Sequence, residues 1–161
     1  MSLLDVIFRR RSIRHYKSKQ IPNDVLRNIL EAGRLAPSAD NAQPWHFVVV
    51  TEQKIKEKLS MGRWNRFIRD SAVTIVGCGY ADDEWSTIDV TIALENMVIA
   101  AEAQGVGSCW IGDFKEEEVK ELLNIPDNLK VIALISFGYP AEKPSPPRKK
   151  SLETIVHYNK F

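Results

Sequence analysis

Four arginines fall between residues 9 and 14, in the stretch FRRRSIRHY (8–16), and they set the first chemical question. A phosphomonoester carries nearly two negative charges and several acceptor oxygens. A fixed site for one therefore calls for guanidinium forks together with a hydroxyl or backbone amides. Arg10, Arg11 and Ser12 supply that set. Arg14 lies two residues past Ser12, which in an extended chain returns it to the same side while reaching further along a ligand. A solvated charged turn would use the same residues, and this stretch alone does not separate the two readings. The second concentration of chemistry is LAPSADNAQPWHF (35–47), where Pro37, Ser38, Asn41, Gln43 and Pro44 crowd together. Two prolines stiffen it, and its amides and free backbone groups can meet a planar heterocycle that alternates donors and acceptors along one edge. A rigid polar loop beside a phosphate clamp points to a phosphorylated heterocycle. A well-capped loop is the alternative, and a core aromatic is the plainer account of Trp45 itself.

Other chemistries find less support. In GVGSCWIG (105–112) the sixth place of a dinucleotide fingerprint is Trp110, and the stretch leads into a strand rather than out of one. In GCGYAD the sixth place is Asp82, and no GK[ST] follows any glycine loop. His15, His46 and His157 are scattered, without the spacing of a metal site. No GxSxG elbow exists, and Cys78 and Cys109 stand 31 positions apart, which reads as two buried, reduced thiols.

These groups need elements to hold them. Ser2 can cap a short helix over LLDVIF (3–8), and IPNDVLRNILEAGRLA (21–36) predicts a second, with Pro22 near its first position and apolar residues at 25, 26, 29 and 30. HFVVVT (46–51) reads as a strand, EQKIKEKLS (52–60) as a short amphipathic helix and AVTIVGCGY (72–80) as a fully buried strand. Residues 86–104 are helical in propensity but apolar on nearly every face, interrupted only by Asp89, Glu95 and Glu102. A helix apolar all round must be covered all round, so a second copy of the chain is expected to supply part of the wall. GSCWIG (107–112) and KVIALISFGYP (130–140) predict two more strands, separated by the helix KEEEVKELLN (115–124), whose acids sit in its first turn as the helix dipole favours. The Pro-rich tail ends in Ile155, Val156, Tyr158 and Phe161, which need a surface to pack on.

Composition bounds the rest. At 161 residues, 44% hydrophobic and 27% charged, the chain is expected to form one globular domain over 1–161. A formal charge of +1 supplies no global field for nucleic acid or an anionic membrane, and no aromatic-interleaved basic face is present. Neither a secretory leader nor an apolar run of about 18 residues is readable, so a cytoplasmic location is expected.

Taken together, the basic motif, PSADNAQPW (37–45), NMVIAAEAQGVGSCWIG (96–112) and the closing PPRKKSLETIVHYNKF (146–161) make the chain resemble a short member of the FMN-dependent nitroreductase family, over nearly its whole length. The resemblance implies an α+β fold, a central, mainly antiparallel sheet surrounded by helices, in an intertwined homodimer that exchanges C-terminal segments and lodges FMN at the interface. It implies that Arg10, Arg11 and Ser12 hold the flavin phosphate and that Arg14 reaches the pyrimidine end of the ring. It further implies that Pro37, Ser38, Ala39, Asn41 and Gln43 line the ring and ribityl chain, and that backbone around Trp110, Ile111 and Gly112 faces the flavin. Arg148 or Lys149 adds a phosphate contact. Reduced FMN is anionic near N1 and O2, so a fixed cation such as Arg14 favours reduction. The implied activity is hydride transfer from NADH or NADPH through FMN to a nitroaromatic, quinone or similar planar acceptor, in ping-pong order. Dehalogenation by the same flavin, or a non-catalytic flavin sensor or carrier, are the alternatives. The short ADDEWSTID (81–89) leaves little room for the helical insertion that shapes the substrate pocket of longer relatives, and Trp64, Asn65 and Arg66 receive no role.

Overall fold

The computed structural model describes residues 2–161. Helix α1 (Leu3–Arg9) begins in a reciprocal cap: the Asp5 amide donates to Ser2 Oγ at 3.2 Å and the Ser2 amide to Asp5 Oδ2 at 2.9 Å. Helix α2 (Asn23–Arg34) starts one residue after Pro22, later than the 21–36 pattern predicts, because Pro22 stays extended as its N-cap. Then come β1 (His46–Val50), α3 (Gln53–Leu59), β2 (Val73–Tyr80), α4 (Ser86–Ala103), β3 (Gly107–Ile111), α5 (Glu116–Leu123), β4 (Leu129–Gly138) and a one-turn α6 (Leu152–Ile155).

The four strands form one sheet in the order β1-β2-β4-β3, every neighbouring pair antiparallel. The predicted α+β class with a mainly antiparallel sheet is therefore the fold observed. Alternation along β2 explains the layering. Val73 and Ile75 point into a core shared with α2 and α4, whereas Val76 and Cys78 point into a second core shared with α3 and α5. Gly77 lies on the α4 side, where an added Cβ would come within 2.7 Å of Leu94 Cδ1; the helix can lie this close only because the strand is bare there. Ile132 is an extra residue in β4, since Gly77 pairs with Ala133 and Cys78 with Val131.

Helix α4 is covered from two sides by α2 and the sheet, burying Val90, Leu94, Met97, Val98 and Ala101. Its remaining stripe, Ile88, Ile92, Glu95 and Ile99, spaced at i, i+4, i+7 and i+11, stays open or half-buried. One chain thus covers more of this helix than its composition predicts, and the uncovered part is a single stripe. The tail is the larger departure. Residues 151–161 are exposed throughout, and Leu152, Ile155, Val156, Tyr158 and Phe161 find no wall on their own chain.

Candidate functional site

The basic segment leaves α1 and runs extended along the sheet edge. Ser12 bridges Ser108 of β3, the Ile13 amide donates to the Ser108 carbonyl at 2.9 Å, and Tyr16 bridges Pro140. Ile13 is buried against Gly107, where a Cβ would sit 2.6 Å from the isoleucine side chain, so the segment can lie flat on β3. Alternation then leaves Ser12 and Arg14 on the open side. Tyr16 fixes the far end, its hydroxyl donating to the Ile13 carbonyl at 2.6 Å with Ser136 Oγ 2.7 Å away, and burial raises its pKa.

On the open side is a groove of about 570 Å³, lined by Arg10, Arg11, Ser12, Arg14 and Lys149, by Ile7 and Phe8 of α1, and by the Pro144–Pro147 stretch. No carboxylate lines it. Arg11 is held in place by its own helix end, Nη1 donating to the carbonyls of Phe8 at 2.9 Å and Arg10 at 2.8 Å, which otherwise lack partners at a helix terminus. Glu95 of α4 stands behind Arg10, with Oε1 3.9 Å from Nε and Oε2 accepting the Trp110 indole N–H at 3.0 Å. Glu142 ties the start of the tail to the segment, accepting the Arg14 and His15 amides, with His15 Nδ1 2.9 Å from its Oε2.

The expected residues divide into those that converge and those that do not. Arg10, Arg11, Ser12, Arg14 and Lys149 share the groove. A neighbouring cleft is lined by Arg148, Lys149, Lys150, Ser151 and Thr154, so Lys149 borders both and Arg148 only the second. Pro37, Ser38, Ala39, Asn41 and Gln43 do not line the groove, nor do Trp110, Ile111 and Gly112. The 37–43 loop is nonetheless built with care. Ser38 Oγ accepts the Gln43 amide at 2.9 Å, Gln43 Nε2 donates to the Asn41 carbonyl at 3.0 Å, and the Ala39 amide donates to both carboxylate oxygens of Asp89 at 3.3 and 3.2 Å. Asp40, Asn41 and Gln43 all take left-handed backbone, with φ of 49°, 57° and 52°. For Gln43 that conformation is costly, and such strain is concentrated at functional positions.

Four residues without an assigned role emerge as supports: Asp89, Glu95, Glu142 and Asn65. Asp89 and Glu95 were visible as acids interrupting an apolar helix, whereas Glu142 sits in a Pro-rich stretch without any signal. Asn65 is 1% exposed and clamps the end of β3, Nδ2 donating to the carbonyls of Leu59 at 2.9 Å and Asp113 at 2.7 Å. Its Oδ1 is buried without a partner. Among the described residues no group of three or more His, Cys, Asp or Glu is placed to hold a metal, and no helix is long and apolar enough to cross a membrane.

Comparison with known proteins places the chain among relatives. A family model described as the nitroreductase family matches residues 7–61 and 56–139. A protein of Archaeoglobus fulgidus, provisionally named NADH dehydrogenase/NAD(P)H nitroreductase, is 38% identical over 87% of this chain and 86% of its own length. A crystal structure of a nitroreductase family protein from Clostridium novyi superposes with a TM-score of 0.82 at 34% identity, covering 90% of this chain and 89% of that one. An FMN-dependent nitroreductase from Clostridium difficile gives 0.91 at 28% identity, covering 98% and 99%.

Proposed function

This chain belongs to the nitroreductase family, and from that premise we propose that it is an FMN-dependent oxidoreductase. It draws on NADH or NADPH and reduces a nitroaromatic, quinone or similar planar acceptor in ping-pong order. The observation that carries this reading is the convergence of Arg10, Arg11, Arg14 and Lys149 with the Ser12 hydroxyl on one groove lined by no acid. That donor set fits the phosphate of FMN: forked guanidiniums and an ammonium offer only hydrogen-bond donors, and the site wants an acceptor-rich dianion.

In this reading Arg10, Arg11, Ser12 and Lys149 hold the phosphate and Arg14 faces the pyrimidine end of the ring. Pro37, Ser38, Ala39, Asn41 and Gln43 line the ring and ribityl chain, and the backbone of Trp110–Gly112 forms the facing wall. Bound FMN supplies the hydride chemistry, and the chain supplies position, charge and exclusion of water. Because the loop and the arginine groove do not meet within one chain, the complete site needs a homodimer. The open stripe of α4, the exposed Leu3, Leu4, Ile7 and Phe8 of α1, and the apolar tail support that pairing. The whole of 1–161 then acts as one flavin-binding unit, working in the cytoplasm, where pyridine nucleotides are available and its thiols stay reduced.

The test begins with colour. Purified protein is expected to be yellow, or to quench added FMN fluorescence saturably, and NADH or NADPH is expected to bleach the bound flavin anaerobically. Protein that neither carries nor takes FMN overturns the reading. Bound flavin that neither nucleotide bleaches turns it toward a sensor or carrier, and a panel of acceptors that includes halogenated rings separates dehalogenation.

A further inference from the structure

A second cleft, of about 440 Å³, shares no lining residue with the arginine groove. One wall is the segment Tyr16–Gln20, and the other runs from Gln53 and Lys56 of α3 to Arg69–Ala72 ahead of β2. We infer that this cleft is an anion site for a phosphoryl-bearing small molecule, built on the buried ammonium of Lys56.

Lys56 is 6% exposed, an unusual place for a lysine on a short surface helix, and Nζ donates to the Ser71 carbonyl at 2.5 Å. An ammonium has three donors, and among the described residues this one has a single hydrogen-bond acceptor. Burying a charge costs free energy unless it is paired, and burial accordingly lowers the Lys56 pKa, with nearby Asp70 and Glu57 opposing. An incoming oxyanion supplies the missing acceptors.

The surrounding charge selects the ligand. Lys17, Lys19, Lys56 and Arg69 face one carboxylate, that of Asp70, whose Oδ2 stands 3.9 Å from Arg69 Nε. Lys19 is fixed at the rim, its ammonium 4.0 Å over the Tyr139 ring. Three of the neutral groups are turned elsewhere. Ser71 Oγ donates to the Ile68 carbonyl, the Tyr16 hydroxyl points to Ile13 and Ser136, and Gln53 Nε2 is taken by Glu57 and the Arg69 carbonyl. What remains on the lining is four cations against the single Asp70 carboxylate, with Ser18 and Gln20 as the neutral polar groups, a net positive set that suits a group that accepts hydrogen bonds and carries about two charges.

The test is a calorimetric titration of inorganic phosphate into the FMN-loaded protein at fixed ionic strength, with flavin fluorescence followed in parallel. Saturable binding of one phosphate per chain at millimolar levels, with the flavin retained, is the expected result. Lys56→Met removes the buried charge. Where that variant fails to fold, Lys19→Ala combined with Arg69→Ala strips the rim from exposed positions. Either change weakens phosphate binding by roughly tenfold or more and leaves FMN affinity unaltered. No saturable binding, phosphate that displaces FMN, or affinity untouched by the folded variants overturns the inference. If the protein takes no FMN, the titration is run on the Arg10→Ala/Arg11→Ala variant, which lacks the first groove and keeps this cleft, and the same outcomes decide.

Discussion

Arg11 serves the helix and the groove with one guanidinium. Its Nη1 closes two carbonyls at the end of α1, which pins the side chain and leaves the rest of the fork for an oxyanion. Replacing it with alanine should cost about 1.5–3 kcal/mol of FMN binding, the range for hydrogen bonds to charged groups, seen as a roughly ten- to hundred-fold rise in Kd by flavin fluorescence. A lysine at the same position restores charge without the fork and should recover only part of the loss. The two thiols give a prediction of the opposite kind. Burial pushes Cys78 up to about 11 and raises Cys109 as well. Neither should be alkylated by iodoacetamide in the native protein near pH 8, and both should react after unfolding, as mass spectrometry will show. The clustering of the arginines was legible from type and spacing, but that they line one groove rather than a solvated surface depends on the extended path of residues 10–14 along β3. That Lys149 borders the groove and Arg148 does not was not legible, since only the path of the tail past α1 decides which side chain reaches it.

At the scale of elements, one carboxylate anchors the 37–43 loop and another ties the tail to the basic segment. Asp89, 3% exposed, accepts the Ala39 amide and so anchors the left-handed loop to α4. Asp89→Ala leaves that amide without its partner and should lower stability by about 1–3 kcal/mol, read from urea unfolding, together with a faster FMN off-rate if the loop lines the flavin as proposed. Glu142 ties the tail to the basic segment. Desolvation pushes its carboxyl up, and the amides of Arg14 and His15 with the His15 ring more than reverse this, holding it below the usual 4.5. A value depressed in the folded state means stabilisation that is full above about pH 4.5 and lost as pH falls through the folded value. The gap in Tm between the wild type and Glu142→Gln should therefore close on acidification below that point. The elements themselves were readable from periodicity, most boundaries shifting by a residue or two. The conformation of the loop was not: Gln43 has no intrinsic preference for positive φ, and it is held there by local contacts to Ser38 and Asn41 in a loop that Asp89, fifty residues on, anchors through the Ala39 amide.

At the scale of the molecule, the apolar stripe of α4 and the unsupported tail are two halves of one argument for pairing. A chain ending at Ser151 loses Leu152, Ile155, Val156, Tyr158 and Phe161, all exposed here, and light scattering should find it monomeric or far more weakly paired than the full chain. A full-length chain that is a stable monomer at micromolar concentration would remove the basis of the shared site. Sequence pattern predicted that α4 needs cover, yet not how much its own chain provides, because that depends on how α2 and the sheet meet it in space. Pro144–Pro147 walls the anion groove and continues without interruption into the tail that pairing would give away. If so, subunit separation and pigment loss are one linked equilibrium. Thinning a solution should bleach it, the ultrafiltrate should turn yellow as the pairs come apart, and surplus riboflavin phosphate should glue them back together.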